Sequence, residues 1–245
     1  FKDTCRAVGI EESVHDALCR SGRLRYRIGM HDNSLTPAEN DSAAEKSNAI
    51  YLVAAHPHWR ESRVNRRMLA AAKQVPGVAT LDLYGSYPDY HIHVPAEQAR
   101  LAAARLLVLL HPIHWYSMPP LQKLWLDEVF TWGWAYGAGG TALQGKGFWL
   151  AATTGGPEAS YHPEHYNRYP FDAFLPPYEQ TATLCGMRFL PPLVLHGAHS
   201  ASEAAVAEHI DRFTRQLRLY ADTPLAGSAE ECPDAALVPA ADRKA

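Results

Sequence analysis

The sequence has few cysteines, no long apolar run and no marked excess of charge of either sign. Four of its 245 residues are cysteine, and no pair of them has metal-ligand spacing, which predicts no disulfide framework and favours a reducing compartment. The longest apolar runs, such as residues 106–110, fall far short of the ~18 residues that a membrane-spanning helix needs. A net charge of −3 and a pI near 6.5 argue against general affinity for nucleic acid. Together these features predict a soluble, cytoplasmic protein.

Hydrophobic periodicity is confined to the middle of the chain. Residues 1–48 are polar, with clustered arginines and no sustained period, so we predict a poorly ordered N-terminal extension. Residues 49–220 alternate between apolar runs and helical patterns, which predicts one folded domain. Residues 221–245 are small, polar and proline-containing, and are predicted to form a disordered tail.

Five short apolar segments within that domain are predicted strands. Ser62 is a plausible N-cap for the first helix, and the prolines inside the fifth strand suit a sheet edge. Parallel strands need helical crossovers, so the alternation predicts an α/β three-layer αβα sandwich with a five-stranded parallel sheet. The order 2-1-3-4-5 is one of two common choices and suits five strands. The predicted strands are 50–55, 78–83, 105–110, 148–153 and 188–195, and the predicted helices are 62–75, 95–104, 118–131, 171–185 and 202–220. The helix over 171–185 is predicted to be interrupted near Pro176-Pro177.

Three of these strands end in loops rich in small, polar or aromatic residues, namely 56–65, 111–117 and 153–161. In the order 2-1-3-4-5 these loops converge at one edge of the sheet. The first offers a helix N-terminus for an anion, with donors from Ser62 and Asn65. The second offers the flat rings of Trp115 and Tyr116, and the third offers glycines that allow close backbone approach. The combination predicts a site for flavin mononucleotide.

An ordered run of motifs carries a resemblance to a known family. These motifs are His56-Pro57, Ser62 to Asn65, the run HPIHWYSMPP at 111–120, Lys123-Leu124-Trp125, residues 133–137, and Thr153-Thr154-Gly155-Gly156. Residues 49–220 resemble the flavodoxin-like NAD(P)H dehydrogenase (quinone) family. Within it they most resemble the ancillary oxidoreductases of bacterial glutathione-regulated potassium efflux systems.

The resemblance implies a flavodoxin-like fold, bound FMN, and hydride transfer from NAD(P)H through the flavin to a quinone. FAD is less favoured, because no adenine site is readable. The resemblance also implies a homodimer in the cytoplasm, with a potassium efflux antiporter as a possible partner at the cytoplasmic face of the inner membrane. The implied cofactor-binding residues are His56, Ser62, Arg63, Val64, Asn65, Pro112, Ile113, His114, Trp115, Tyr116, Thr153, Thr154, Gly155 and Gly156.

Two candidate catalytic residues follow from the same resemblance. The quinone reductases carry a tyrosine five residues after the last glycine of the third motif, and Tyr161 holds that place. Their second proton-relay residue, a histidine, would fall near Asn167, and His165 is an approximate substitute. Tyr161 as a proton relay competes with Tyr161 as an aromatic wall.

Several other hypotheses remain beside this one. Gly140 to Lys146 has P-loop spacing, but Gly147 replaces the hydroxyl residue that would hold a metal ion. The histidines of the first two loops have no acidic or cysteine partner at ligand spacing, so we predict hydrogen-bonding roles and no metal site. Trp125 and Trp132, at helical spacing, are candidates for core packing or for a dimer contact, and we favour the dimer contact. Alternative functions are a regulatory ancillary subunit that activates a glutathione-gated efflux antiporter, and a flavodoxin-like electron carrier.

Overall fold

A computed structural model describes residues 49–223. The predicted N-terminal extension, and the predicted tail beyond residue 223, lie outside the described residues. The elements, in chain order, are β1 (Ile50–Ala54), α1 (Asn65–Ala72), β2 (Val78–Asp82), α2 (Leu83–Ser86), α3 (Val94–Ala103), β3 (Leu106–Pro112), α4 (Pro120–Val129), β4 (Gly147–Thr153), two 3₁₀ turns (Glu158–Ser160 and Phe171–Phe174), α5 (Pro176–Leu184), β5 (Arg188–Phe189), β6 (Leu193–Leu195) and α6 (Glu203–Asp222).

The strands form one parallel sheet in the order β2-β1-β3-β4-β5, which confirms the predicted order. The register of the central strands is continuous, so that Leu52 pairs with both Thr80 and Val108. The predicted fifth strand is divided into β5 and β6, and both pair with β4. Pro191 and Pro192 lie between β5 and β6. Because proline has no N–H to donate, these two residues interrupt the ladder, which is tolerated at the edge of a sheet.

Two apolar layers cover the sheet, one on each face. Successive strand residues point to opposite faces, so Tyr51 and Val53 join one cluster while Ile50 and Leu52 join the other. β1 and β3 are buried on both faces, as expected for the centre of a parallel sheet. Trp125 of α4 is fully buried in the first cluster, so its interpretation as a dimer contact is wrong. It lies on the inner face of α4, where its ring packs against Tyr51 and Phe130.

A buried carboxylate ties α3 to the sheet and to α4. Glu97 has no exposed surface, and it accepts hydrogen bonds from the hydroxyls of Tyr51 and Tyr87, both at 2.6 Å. It also accepts from Trp125 Nε1 at 2.9 Å and from the Arg100 guanidinium at 2.5 Å. A buried charge is tolerated only when it is paired in this way. These four hydrogen bonds indicate that Glu97 stabilises the fold by linking α3 to β1 and α4.

Some predicted boundaries are wrong, and each has a local cause. α1 begins at Asn65 with Val64 as its N-cap, because residues 58–62 form turns in which Glu61 and Ser62 donate their N–H groups backwards. Ser62 is therefore not the N-cap, although its Oγ accepts the Arg66 N–H at 3.1 Å. The helix predicted over 171–185 is interrupted near Pro176, as expected: a 3₁₀ turn is followed by α5, with Pro176 at the start of α5. The predicted tail begins two residues too early, since α6 continues to Asp222.

The third strand continues through His111 and Pro112, because both residues pair with β4. Among residues 49–223, no helix has the length and apolar character required to cross a membrane.

Candidate functional site

Three loops meet at the carboxyl ends of β1, β3 and β4. We define the first loop as residues 55–64, the second as 113–119 and the third as 154–170. Thr153 Oγ1 donates to Asn65 Oδ1 at 2.9 Å, which joins the base of the third loop to the start of α1. Ile113 N–H donates to the Thr153 carbonyl at 2.7 Å, and the rings of His56 and His114 lie 6.4 Å apart. The loops that the sequence predicts to converge therefore form one continuous surface.

The first loop presents a row of free backbone donors. The N–H groups of Arg63, Val64 and Asn65 have no hydrogen-bond acceptor within residues 49–223. They lie at the N-terminus of α1, where the helix dipole favours an anion. Trp59 attaches the first loop to the end of β2, since its Nε1 donates to Asp82 Oδ1 at 2.7 Å. This row can hold a phosphate without any charged side chain.

Asn65 adds a side-chain donor to that row. The residue is buried, its Oδ1 is used by Thr153, and its Nδ2 has no partner in the part of the chain that the structure describes. A buried amide without a partner costs about 1–3 kcal/mol, so such a group calls for an explanation. An anion bound at the start of α1 would supply the missing acceptor.

The side chain of Arg63 does not belong to this row. Its guanidinium donates to Glu203 Oε1 at 2.5 Å and to the Ala201 carbonyl at 2.7 Å, and so ties the first loop to the start of α6. The residue was predicted as part of the phosphate site, but only its backbone N–H is available there. Its side chain has a structural role in place of an anion-binding one.

Burial holds the pKa of three histidines around the site, His56, His111 and His114, below the usual value. Burial, followed by the proximity of His114 and His58, lowers the pKa of His56 to about 4. Burial also lowers the pKa of His111 to about 4, and it lowers that of His114. His111 stacks on Tyr178 beneath the second loop, with ring centroids 5.9 Å apart. A ligand phosphate would therefore meet N–H dipoles here, and few full positive charges.

The second loop is a tight turn that projects an aromatic ring. His114 and Ser117 exchange both backbone hydrogen bonds, at 2.9 and 3.0 Å, and the two residues between them have positive φ angles of 48° and 65°. Those two residues are Trp115 and Tyr116, which carry side chains that disfavour this conformation. Trp115 is 94% exposed, whereas Tyr116 stacks on Phe174 at 4.9 Å. Such strain is found where a function requires the geometry.

The third loop is packed closely around its glycines. A Cβ on Gly156 would lie 2.8 Å from both Ser160 Oγ and Tyr166 Oη, so only glycine fits without displacement. A Cβ on Gly155 would make an ordinary contact with His199, at 3.4 Å. Thr154 is buried and its Oγ1 donates to the Gly156 carbonyl at 2.7 Å, which fixes the turn.

The structure separates the two predicted catalytic residues. Tyr161 is half-buried, and its ring contacts Phe171, Phe174 and His196. His165 is exposed, and its ring lies 6.0 Å from that of His162. The histidine next to Tyr161 is therefore His196, at a ring distance of 5.3 Å.

Sequence reasoning missed His196, and it named Asn167 only as the place where the quinone reductases' histidine would fall. His196 directly follows β6, and its position at the carboxyl end of a predicted edge strand is the signal that could have identified it. Asn167 is buried, donates to Ser160 Oγ at 2.7 Å and accepts from the Tyr116 hydroxyl at 3.3 Å. Asn167 thereby links the second and third loops. No group of three or more metal-ligating side chains occurs among the described residues.

Comparison with known proteins places this surface in context. The family model described as a flavodoxin-like fold matches residues 48–217. The chain is 47% identical over 148 residues to the glutathione-regulated potassium-efflux system ancillary protein KefF of Citrobacter koseri, over 60% of this chain and 82% of that protein.

Two solved structures are similar over most of the described chain. General stress protein 14 of Treponema denticola, in complex with FMN, is 36% identical with a TM-score of 0.63, over 71% of this chain and 97% of that one. A protein described as a thermophilic tryptophan halogenase from Streptomycin violaceusniger is 39% identical with a TM-score of 0.65, over 66% of this chain and 95% of that one. The different activities in these names mean that the fold alone does not determine the reaction.

Proposed function

This chain belongs to the flavodoxin-like fold family, and from that premise we propose that it is an FMN-dependent NAD(P)H:quinone oxidoreductase. The observation that carries the proposal is the set of unpaired donors at the start of α1. The set consists of three backbone N–H groups and the buried Nδ2 of Asn65, on the surface where the three loops meet. None of these donors has a hydrogen-bond acceptor among the described residues. The similar protein from Treponema denticola, which is in complex with FMN, supports the choice of ligand.

The proposed binding residues divide into three groups by chemistry. The first loop would hold the phosphate through Ser62, Val64 and Asn65 and through the backbone of Arg63, with His56 beside them. The second loop would flank the flavin ring with Trp115 and Tyr116, supported by Pro112, Ile113 and His114. The third loop would offer the backbone N–H groups of Gly155 and Gly156 to the ring. Thr153 and Thr154 would support that loop, because the Thr154 N–H donates to the Leu195 carbonyl at 2.9 Å and Thr153 Oγ1 donates to Asn65. Bound FMN would supply two-electron redox chemistry, and these residues would position it.

A quinone is proposed as the acceptor because the surface combines flat walls with a proton donor. Two-electron reduction of a quinone requires protons at its oxygens, and the ring of Tyr161 lies 6.1 Å from that of Phe174, on which Tyr116 of the second loop stacks. Burial raises the pKa of Tyr161, and the nearby Thr154 side chain opposes that rise. Tyr161 is thus protonated at neutral pH and able to donate. A nicotinamide ring could occupy the same open face before the quinone.

The test is spectroscopic. Purified protein supplemented with FMN should show the yellow absorption of bound flavin, and NADH or NADPH should bleach it rapidly under anaerobic conditions. A benzoquinone should then restore the absorption. Protein that does not bind FMN would refute the proposal, and bound flavin that neither nicotinamide bleaches would favour an electron carrier.

A second candidate function is that of an ancillary subunit of a potassium efflux system. It is favoured by the 47% identity to the KefF protein, of which this chain covers 82%. We propose an antiporter at the cytoplasmic face of the inner membrane as the partner, and a homodimer as the assembled form. Trp132, 68% exposed, is a candidate contact for either. Co-purification with the antiporter, and potassium efflux raised by co-expression, would support this role, whereas the absence of both would count against it.

A further inference from the structure

Arg168 occupies a strained position of the third loop. Its φ of 62° is unusual for a residue with a long side chain. Two backbone hydrogen bonds hold the turn. The Arg168 N–H donates to the His165 carbonyl at 3.1 Å, and the Tyr169 N–H donates to the Asn167 carbonyl at 2.8 Å. Strain of this kind persists where the surrounding structure imposes it, so the side chain of Arg168 calls for a functional explanation.

The residue before Arg168 attaches the turn to the rest of the site. Asn167 is buried, its N–H donates to the Ser160 carbonyl at 3.3 Å, and its Nδ2 donates to Ser160 Oγ at 2.7 Å. Its Oδ1 accepts from the Tyr116 hydroxyl at 3.3 Å. Arg168 thus lies one residue away from a contact with the second loop, at the border of the surface proposed to hold the flavin ring.

The Arg168 guanidinium is exposed, and it forms no hydrogen bond or ion pair with any of residues 49–223. Other arginines of this part of the chain have structural partners: Arg63, Arg67, Arg100 and Arg215 each pair with a carboxylate. Carboxylates also occur close to Arg168 in sequence, at Glu164 and Asp172, but neither is its partner in the described structure. The guanidinium is therefore available to an anionic ligand.

Two exposed tyrosines flank Arg168, and we refer to residues 166–169 as the arginine–tyrosine segment. Tyr166 and Tyr169 are 70% and 61% exposed. The Tyr166 hydroxyl approaches the glycines of the third loop, since a Cβ on Gly156 would lie 2.8 Å from it. The ring of Tyr169 lies edge-on to that of Phe174, at 6.3 Å. The segment thus places two aromatic rings and a cation beside the surface proposed for flavin and nicotinamide.

We propose that Arg168 binds the 2′-phosphate of NADPH, so that the protein uses NADPH in preference to NADH. The proposal rests on the proposed function and deepens it by naming the co-substrate. NADPH differs from NADH only by this phosphate, which is attached to the ribose of the adenosine half. With the nicotinamide ring on the flavin, the adenosine half extends over the border of the site. A guanidinium matches the geometry of a phosphate, and tyrosine rings stack on adenine.

The phosphate site of the first loop does not serve this purpose. The free N–H groups at the start of α1 would be occupied by the phosphate of FMN, so a second phosphate needs a separate donor. The pyrophosphate of the nicotinamide co-substrate cannot discriminate either, because NADH and NADPH both carry it. Recognition of the 2′-phosphate therefore requires a cation elsewhere on the border, and Arg168 provides one.

The first test measures binding without turnover. Protein saturated with FMN is titrated with adenosine 2′,5′-bisphosphate and with adenosine 5′-monophosphate in a calorimeter. The wild type should bind the bisphosphate about fivefold or more tightly than the monophosphate. Arg168→Gln should remove most of that difference. Equal binding of the two nucleotides by the wild type, or an unchanged difference in Arg168→Gln, would overturn the proposal.

A second variant excludes a change in the shape of the turn. Glycine adopts a φ of 62° without strain, so Arg168→Gly removes the guanidinium while it keeps the backbone conformation. It should lose the same preference for the bisphosphate as Arg168→Gln. If Arg168→Gly keeps the wild-type preference, the charge of Arg168 is not what recognises the phosphate, and the proposal is wrong.

The second test compares steady-state kinetics with NADPH and NADH, with a benzoquinone as acceptor. Arg168→Gln should raise KM for NADPH about fivefold or more and leave KM for NADH within about twofold, with both kcat values little changed. An equal rise in both KM values would place Arg168 at the pyrophosphate and would refute the proposal.

The control is Arg218→Gln, which makes the same change of charge at an exposed position near the end of α6 and should behave as wild type. The rival is Arg60→Gln, at an exposed arginine of the first loop. If Arg60→Gln removes the preference and Arg168→Gln does not, the proposal is refuted. Failure of the proposed function has a different signature, because the wild type would then bind no FMN or show no bleaching by either nicotinamide. Titration of the apoprotein with the two adenosine nucleotides would still decide whether Arg168 recognises the 2′-phosphate.

Discussion

Asn65 and Thr153, 88 residues apart in sequence, are joined by a buried hydrogen bond of 2.9 Å from Thr153 Oγ1 to Asn65 Oδ1. The bond fixes which end of the Asn65 amide faces the start of α1. It leaves Nδ2 as the donor without a partner among the described residues, beside the free N–H groups of the first loop. Thr153, at the base of the third loop, thereby orients the Nδ2 donor of Asn65 next to the first loop.

Asn65→Asp should weaken FMN binding by at least tenfold, roughly, while the fold is retained. The aspartate keeps an oxygen that accepts from Thr153, but it replaces the free Nδ2 donor with a negative charge. A hydrogen bond to a charged acceptor is worth about 1.5–3 kcal/mol, and repulsion of the phosphate adds to the loss. Titration of the apoprotein with FMN, followed by flavin fluorescence, measures the change.

The matched control is Gln74→Glu, which makes the same change of charge at an exposed position beyond α1. It should leave the FMN dissociation constant within about twofold, because it lies outside the three loops. Equal losses in both variants would indicate a general effect of charge and would contradict the role given to Asn65.

Arg63→Ala should reduce stability more than it reduces FMN affinity. The guanidinium is bound to the Ala201 carbonyl and to Glu203, away from the free N–H groups. Loss of the charged hydrogen bond to Ala201 should lower the free energy of unfolding by about 1.5–3 kcal/mol, measured by urea denaturation. Arg67→Ala is the control, because within residues 49–223 the Arg67 side chain is paired only with exposed Glu203 and should matter little. A large loss of FMN affinity with unchanged stability would show that Arg63 does bind the phosphate.

Trp115→Gly should raise stability and lower activity. Glycine adopts the φ of 48° without the ~1 kcal/mol that a larger residue pays, and little buried surface is lost because Trp115 is 94% exposed. The flat ring proposed to flank the flavin or nicotinamide is lost as well, so KM for NAD(P)H or the FMN dissociation constant should rise several-fold. Thermal unfolding and steady-state kinetics check the two effects.

Tyr90→Gly provides the comparison, since Tyr90 also has a positive φ, of 64°, and lies outside the three loops. It should leave FMN affinity and KM unchanged. If Trp115→Gly likewise changes neither, the strained turn has no part in binding.

The apolar runs and their crossovers predicted a parallel sheet but not its strand order, and the order 2-1-3-4-5 was chosen from two common ones because it suits five strands. The sequence also predicted which loops converge, since that follows from strand order alone. It could not predict which acceptor the Arg63 side chain binds. That acceptor is the carbonyl of Ala201, which lies just before α6 and 138 residues away in sequence. Sequence reasoning missed His196 because no local motif marks that residue. The proximity of His196 to Tyr161 depends on the pairing of β6 with β4, which is a long-range contact.

Stability should fall with acidity through His209, a residue far from the three loops. His209 is buried on α6, its Nε2 has no partner among the described residues, and burial, with a smaller effect of Arg212, lowers its pKa to about 4. In the unfolded chain the pKa is about 6.5. Between these values the unfolded state binds more protons, so the free energy of unfolding decreases as pH falls from about 6.5 toward 4, by at most ~1.4 kcal/mol per pH unit.

His209→Leu removes this titration, so its stability should depend less on pH than that of the wild type. The difference between the two should be small at pH 7.5, should favour the variant, and should grow by about 1 kcal/mol or more from pH 6.5 to pH 5. Urea denaturation at several pH values gives both curves. His91→Leu, at an exposed histidine, should keep the wild-type slope. His209 is buried on the same helix face as Val206 and Phe213, which disfavours its protonated form in the folded protein. Parallel curves for wild type and His209→Leu would contradict this, because they would mean that His209 has the same pKa in the folded and unfolded states.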